Sequence, residues 1–307
     1  VRSNITTAVD LFSGAGGFTT GAQAAGVDVL ACGNHWAEAI AIHEANHPGV
    51  EHICANLLEL DMGRLPAHDL LLASPACQGH SQASQPTRRP KHQADRNTAW
   101  AVICAAEAHR PTTILVENVV DMKRWVLFDA WIGCMEKLGY DVRTHVFDTA
   151  EFGVPQNRKR LIVSARLGGA LDLESPQMAP AAFRESIDWD ASDGRGWARW
   201  KDKTPGVRRR VEGGRAKGLG ESFLVHYDSY HTGRSLDRPI GTITTKAQWA
   251  LVRGDEIRML TSRELARGMG FASDYILPPT KSAAVKMLGN AIPPTFAQEL
   301  CRQVVTA

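Results

Sequence analysis

Short apolar runs alternate with helix-like stretches through the first half of this chain, and that alternation constrains the fold more than any other feature. The run Thr7-Ala8-Val9-Asp10-Leu11-Phe12 passes into Ser13-Gly14-Ala15-Gly16-Gly17 and then into a helical stretch ending at Ala25. Further strands are expected at residues 27–32, 53–55, 69–73, 113–117, 142–147 and 161–165, with helices at 37–46, 97–109 and 127–138. Each pair is joined by a few turn residues, apart from a Pro/Gln/Arg-rich loop over residues 82–93. Buried strands that alternate with helices give an α/β fold, a mostly parallel sheet covered on both faces. The periodicity weakens near Arg166. From there to about Arg253 the chain is richer in Gly, Pro, Trp and basic residues, which indicates a second, smaller and irregular domain.

Composition narrows the class. With 307 residues, 44% hydrophobic, there is material for one large domain or two unequal ones, which excludes a disordered chain and a small disulfide scaffold. No stretch reaches the roughly 20 apolar residues of a membrane span, and the first ten residues lack the apolar core of a signal peptide. Six cysteines (Cys32, Cys54, Cys77, Cys104, Cys134, Cys301) include no CxxC pair. A cytoplasmic monomer without membrane contact is the expectation. The net charge is only +2, yet residues 195–217 hold nine Lys/Arg against two acids. Basic charge is therefore concentrated in the second domain.

Six segments carry chemistry. The glycine turn after the first strand lets backbone approach a ligand where a side chain would block it, although a plain βα turn has the same form. Ser74-Pro75-Ala76-Cys77-Gln78-Gly79-His80-Ser81 follows a strand at the carboxyl end of the sheet, and a thiol among Pro, Gln and Gly is not filling a core. Taken singly, such a cysteine is more often inert than nucleophilic. Val116-Glu117-Asn118-Val119 ends a buried strand with a carboxylate, either salt-bridged or a general acid. In Gln156-Asn157-Arg158-Lys159-Arg160, alternation puts Gln156, Arg158 and Arg160 on one side if the strand extends back this far; the plain reading is a basic edge, the active one anion or base binding. The segments 258–271 and 289–294 are individually compatible with caps and turns. One decoy is His43-Glu44-Ala45-Asn46-His47, which fits the H-E-x-x-H zinc pattern. Pro48 ends that helix at once, and His52 as a third ligand has no other support, so no metal is expected.

In this order the six segments resemble the cytosine-C5 DNA methyltransferase family: DLFSGAGG, SPACQGHS, VENV, QNRKR, RMLTSRELARGMGF and GNAIPP. Together they span residues 10–294, and the ordered set is far more specific than any member. The resemblance implies a Rossmann-like sheet that binds S-adenosyl-L-methionine over residues 1–168, a target recognition domain with its hinge over 169–283, and a segment 284–307 that completes the catalytic domain. It implies that Phe12 packs on the adenine, that Asp10, Gly14, Gly16 and Gly17 surround the methionine part, and that Trp36, Asn56, Leu57 and Asn290 complete the cofactor site. His35 stands where the family usually places an acid for the ribose, and Ala76 where many members have Pro. Duplex DNA is the implied substrate, with a restriction endonuclease as a companion that the family admits.

The reaction gives these residues roles. Cytosine C5 is a poor nucleophile until a thiolate adds at C6, so Cys77 is assigned as nucleophile. Glu117 would bind or protonate ring N3, Arg160 grip the base O2, and Arg158 support the loop or a phosphate. Gln78, Ser81, Asn118 and Gln156 are expected at the substrate, and Arg208, Arg209 and Arg210 at phosphates. The target must be flipped out of its helix. Competing readings are an RNA cytosine methyltransferase, a catalytically silent DNA-binding protein on the same scaffold and, distantly, a zinc hydrolase.

Overall fold

The structure, a computed structural model, describes residues 5–76, 96–191, 196–227 and 232–307. It begins with strand β1 (Thr7–Leu11), helix α1 (Gly17–Ala24), β2 (Asp28–Asn34), α2 (Ala37–Asn46), β3 (Glu51–Cys54) and β4 (Leu70–Ala73). Helix α3 (Trp100–His109), β5 (Thr113–Asn118), α4 (Phe128–Lys137), β6 (Tyr140–Asp148) and β7 (Lys159–Leu167) follow. These strands form one sheet in the order β3-β2-β1-β4-β5-β7-β6. All pairings among the first five are parallel, while β7 runs antiparallel to both its neighbours. Every expected strand is present. β6 and β7 are longer than their apolar runs predict because they pair continuously over nine residues, which satisfies backbone groups that polar side chains would otherwise leave to solvent.

Alternation along the strands divides the core. Ala8, Leu70, Leu72 and Leu115 join Phe18 of α1 on one face, while Val9, Leu71, Ala73 and Val116 join Val102 and Trp131 on the other. β4, Leu70-Leu71-Leu72-Ala73, is buried on both faces, as the central strand of a covered parallel sheet must be.

The second unit contains β8 (Ala198–Arg199), α5 (Pro205–Ala216), β9 (Ser222–His226), β10 (Arg234–Ser235), β11 (Trp249–Arg253) and β12 (Glu256–Met259). They build a five-stranded antiparallel sheet, β10-β9-β11-β12-β8, with Val207 and Val211 of α5 packed on Phe223 and Val225. Strands of two to five residues are too short to announce themselves by alternation, which is why this region reads as irregular.

Helices α6 (Ser262–Gly268), α7 (Lys281–Asn290) and α8 (Pro294–Thr306) close the chain. Thr261 and Glu264 form a reciprocal capping box on α6, and Glu264 also takes both Nη atoms of the buried Arg258 at 2.8 and 2.7 Å. Segment 258–271 is thus a framework element. α8 and the residues just before it return to α1 at very close range: a Cβ on Gly17 would stand 1.9 Å from the carbonyl oxygen of Ile292, before α8, and one on Gly21 2.6 Å from the Cβ of Ala297 in α8. Among the described residues no helix is long and apolar enough to cross a membrane.

Candidate active site

The strand order reverses direction beside β1, and open α/β sheets bind ligands at such a point, outside the carboxyl ends of their strands. A cavity of about 330 Å³ lies there. Its walls come from the ends of β1 (Phe12, Gly14), β2 (Asn34, His35, Trp36), β4 (Ser74, Pro75, Ala76) and β5 (Glu117, Val119), closed by Arg158, Arg160 and helix α7.

The turn after β1 is tightly wound. Phe12, Gly14 and Gly16 have φ of +61°, +53° and +79°. A Cβ on Gly14 would meet only the Phe12 carbonyl, at 3.8 Å, so its cavity side is open for a ligand. Gly16 has no such space, because a Cβ there would stand 2.8 Å from the Tyr275 hydroxyl. Gly16 and Gly17 are therefore packing positions that let the turn and α1 sit against their neighbours. Asp10 is fully buried, and its Oδ2 accepts from Thr19 N (3.2 Å) and Thr19 Oγ1 (2.8 Å). Burial pushes its carboxyl up to about 7. It anchors the turn from beneath, and does not line the cavity.

At the end of β2, Asn34 Oδ1 accepts from Trp36 N at 2.9 Å and turns His35 and Trp36 into the cavity. Lys286 of α7 covers the indole, its Nζ 4.4 Å from the ring centroid. Sequence reasoning missed Lys286. The available signal was its position four residues before Asn290, which puts the two on one helical face; both line the cavity. Asn56 and Leu57 do not. Asn56 is exposed and bonded within its own turn, to Glu59 Oε1 at 2.7 Å and Leu58 N at 3.2 Å. Leu57 is buried against Gly33, where a Cβ would come within 2.9 Å of its Cδ2.

Opposite the aromatic wall, Glu117 Oε1 meets Arg160 Nε at 2.7 Å with both side chains nearly buried. Antiparallel pairing of β5 with β7 makes this contact: Glu117 stands opposite Ile162, which brings the start of β7 alongside the end of β5. The expected alternation holds, since Gln156, Arg158 and Arg160 are buried while Asn157 and Lys159 are less so, although β7 itself begins at Lys159. Of the three, Arg160 is the one whose side chain meets Glu117 at 2.7 Å.

Arg158 takes the loop-supporting one of its two expected roles, whereas Gln156 and Asn118, expected at the substrate, bond to the protein itself. Arg158, 2% exposed, donates to the carbonyls of Ile243 (2.9 Å), Gly289 (2.8 Å) and Ala291 (3.1 Å), so its guanidinium ties the β7 loop to the end of α7 and to the loop between β10 and β11. Gln156 is wholly buried; its Oε1 accepts from Ile243 N at 2.7 Å and its Nε2 lies 2.7 Å from Met269 Sδ. Asn118, also buried, donates to the Pro75 carbonyl at 3.0 Å and so fixes the loop that leads to the cysteine. Cys77, Gln78 and Ser81 lie outside the described residues. Arg208 and Arg209 are exposed on α5, with Arg210 half-buried beside them.

The zinc hydrolase geometry is absent. Within the H-E-x-x-H segment Glu44 is exposed while His43 and His47 are buried, so the carboxylate that would serve as the base of that motif is turned away from the two rings.

The model of the C-5 cytosine-specific DNA methylase family matches residues 6–186 and 192–306. The chain belongs to that family. As a member of the C-5 cytosine-specific DNA methylases it is an enzyme of DNA cytosine methylation. Over 97% of its length it is 28% identical to the type II methyltransferase M.NlaX of Neisseria lactamica, covering 96% of that protein. It is 26% identical to M1.HphI of Haemophilus parahaemolyticus, over 97% of this chain and 86% of the relative. Among solved structures, a prophage-encoded E. coli protein assigned as a DNA modification methyltransferase shares the fold with a TM-score of 0.73 at 20% identity, over 97% of this chain and 98% of that one. The S. pombe Dnmt2 methyltransferase does so with a TM-score of 0.63 at 16% identity, over 98% and 97%.

Two observations test the site against the cofactor that this methylase family implies. Gly14 presents open backbone beside Phe12 and Trp36, and the buried Ser74 Oγ on the cavity wall has no hydrogen-bond partner among the described residues. Aromatic faces, bare backbone and an unused hydroxyl suit an adenosine with a charged tail. The residues fit.

Proposed function

We propose that this chain transfers a methyl group from S-adenosyl-L-methionine to C5 of a cytosine flipped out of duplex DNA, through a covalent bond between Cys77 Sγ and C6. The observation that carries this reading is the Glu117–Arg160 pair. A carboxylate and a guanidinium, held 2.7 Å apart and nearly buried, face the same cavity as the Ser74-Pro75-Ala76 segment that leads directly into Cys77. Relatives that span almost the whole chain carry type II DNA methyltransferase names, which supports DNA as the acceptor.

The cofactor, held by Phe12, Gly14, His35, Trp36 and Asn290, supplies an electrophilic methyl group at the cavity. The protein's own residues do the rest. Cys77 adds to C6 and loads C5 with electron density; once C5 carries the methyl group, a base removes the C5 proton, the C6–S bond breaks, and Cys77 leaves as the thiolate. Glu117 shares a proton with ring N3 as charge builds there, and Arg160 both orients that carboxylate and offers N–H groups to the base O2. Arg158, Gln156 and Asn118 keep the two loops in place. The exposed Arg208 and Arg209 meet phosphates, which gives salt-dependent affinity without sequence choice.

The test is transfer of labelled methyl from S-adenosyl-L-methionine to duplex DNA, with transfer RNA as a competing acceptor. Wild-type protein labels DNA, Cys77→Ala does not, and Glu117→Gln loses about 10²–10⁴-fold in kcat. DNA carrying 5-fluorocytosine traps a denaturation-resistant adduct. Full transfer by Cys77→Ala rejects the nucleophile, and preferred labelling of RNA rejects the acceptor.

A further inference from the structure

Beneath the glycine turn lies a second cluster of ligating side chains that the methylation chemistry does not use. Asp10, Cys32 and His52 form a row across β1, β2 and β3, since the parallel register pairs Asp10 with Cys32 and Cys32 with His52. Paired residues on neighbouring strands project to one face about 4.8 Å apart. His43 of α2 closes over the row, with Nδ1 2.8 Å from His52 Nε2 and 3.6 Å from Cys32 Sγ. The three potential ligand atoms all lie within 4.8 Å of one another.

The other side of His43 sets its tautomer. Thr19 Oγ1 gives its one proton to Asp10 Oδ2 at 2.8 Å, and His43 Nε2 lies 3.0 Å from the same hydroxyl. The hydroxyl oxygen can then only accept, so Nε2 carries the ring proton and Nδ1 presents its lone pair to Cys32 and His52. A carboxylate-anchored imidazole with its free nitrogen facing a thiol and a second imidazole is the outer-shell arrangement of metal sites. Asp10 Oδ1 is buried with no hydrogen-bond partner among the described residues.

We propose that Cys32, His43 and His52 form a structural site for a zinc-class divalent cation, with the Asp10 carboxylate as its buried counter-charge. One sulfur and two imidazole nitrogens select zinc over the oxygen-seeking magnesium and calcium. A thiolate and a carboxylate together neutralise a divalent ion. On binding, the Cys32 thiol proton leaves to solvent, the His52 ring proton moves to its other nitrogen, and the two ring nitrogens separate by about 0.5 Å to share a ligand position. The set differs from the H-E-x-x-H pattern, because His47 is bonded instead to Thr20 (3.2 Å), Gln23 (3.0 Å) and Tyr275 (3.3 Å). The site links β2, β3 and α2. It also stiffens the cofactor turn, since a Cβ on Gly16 would stand 3.0 Å from His43 Cδ2.

The full chain, saturated with Zn(II) and desalted, is assayed for metal by mass spectrometry, and in parallel titrated with Co(II). Wild type retains about one zinc per chain and shows a thiolate-to-cobalt charge-transfer band, and its thermal midpoint rises with Zn(II). Cys32→Ser and His52→Gln lose all three responses; His52 is half-buried on an edge strand, so its variant keeps the fold, checked by circular dichroism. A wild type that retains no zinc overturns the proposal. So does equal retention in both variants, which would place the ion elsewhere.

Discussion

Replacing Arg158 separates a frame residue from a reacting one. Its guanidinium reaches three backbone carbonyls, of Ile243, Gly289 and Ala291, from a position 2% exposed. Lysine keeps the charge but cannot span three acceptors, so Arg158→Lys leaves two of these carbonyls without their present donor. A buried acceptor left unpaired costs about 1–3 kcal/mol, and partial relaxation brings the pair to about 2–4 kcal/mol. In a chain of 307 residues each kcal/mol lowers the melting midpoint by roughly 1.5 °C, so a fall of roughly 3–6 °C is expected. Calorimetry or circular dichroism measures it, beside Arg160→Lys, whose side chain bonds Glu117 and the carbonyl of its own neighbour Lys159. Arg160→Lys should cut methyl transfer far more than it lowers the midpoint. If Arg158→Lys melts within about 2 °C of wild type yet transfers no methyl, the guanidinium acts on substrate and the strut argument is wrong.

Three further outcomes are expected. Trp36→Ala should weaken S-adenosyl-L-methionine binding about 10- to 100-fold by titration calorimetry, the worth of one base–aromatic stack of about 1–3 kcal/mol; unchanged affinity would remove the indole from the cofactor wall. Arg208→Ala with Arg209→Ala should flatten the dependence of log K for DNA on log salt by up to about 2, whereas an unchanged slope would mean that α5 does not face phosphate. Asp69 is pushed up by burial but held below the usual carboxylate value by four hydrogen bonds, from the N–H and hydroxyl groups of Thr6 and Thr7 at 2.9–3.2 Å. Its folded pKa therefore lies below the unfolded one. The stability that it adds is present above pH 3.8 and is lost as pH falls through the lower folded value, so Asp69→Asn should be less stable than wild type at neutral pH and converge with it in acid. Parallel stability curves through that acid range would refute the assignment.

The alternation of short apolar runs with helices, the glycine turn after the first strand, and the order of the polar motifs were all legible along the chain. They determined an α/β sheet with its site at the carboxyl ends of β1, β2, β4 and β5, because strand period, turn chemistry and βα order are local properties. Alternation even told which side Gln156, Arg158 and Arg160 take. It could not tell what they meet there. Ile243, which accepts from Arg158 and donates to Gln156, is more than eighty positions away, and Gly289 and Ala291 lie over 130 away from Arg158. Asn56 and Leu57 could be placed after the third strand, but their turn geometry keeps them off the cavity wall. Lys286 enters the cavity only because α7 docks against Trp36, and the Asp10-Cys32-His52 row exists only in the register of three parallel strands. Local periodicity specifies direction, whereas the partner of a buried polar group is set by long-range packing, and that is where reacting residues part from those that hold them.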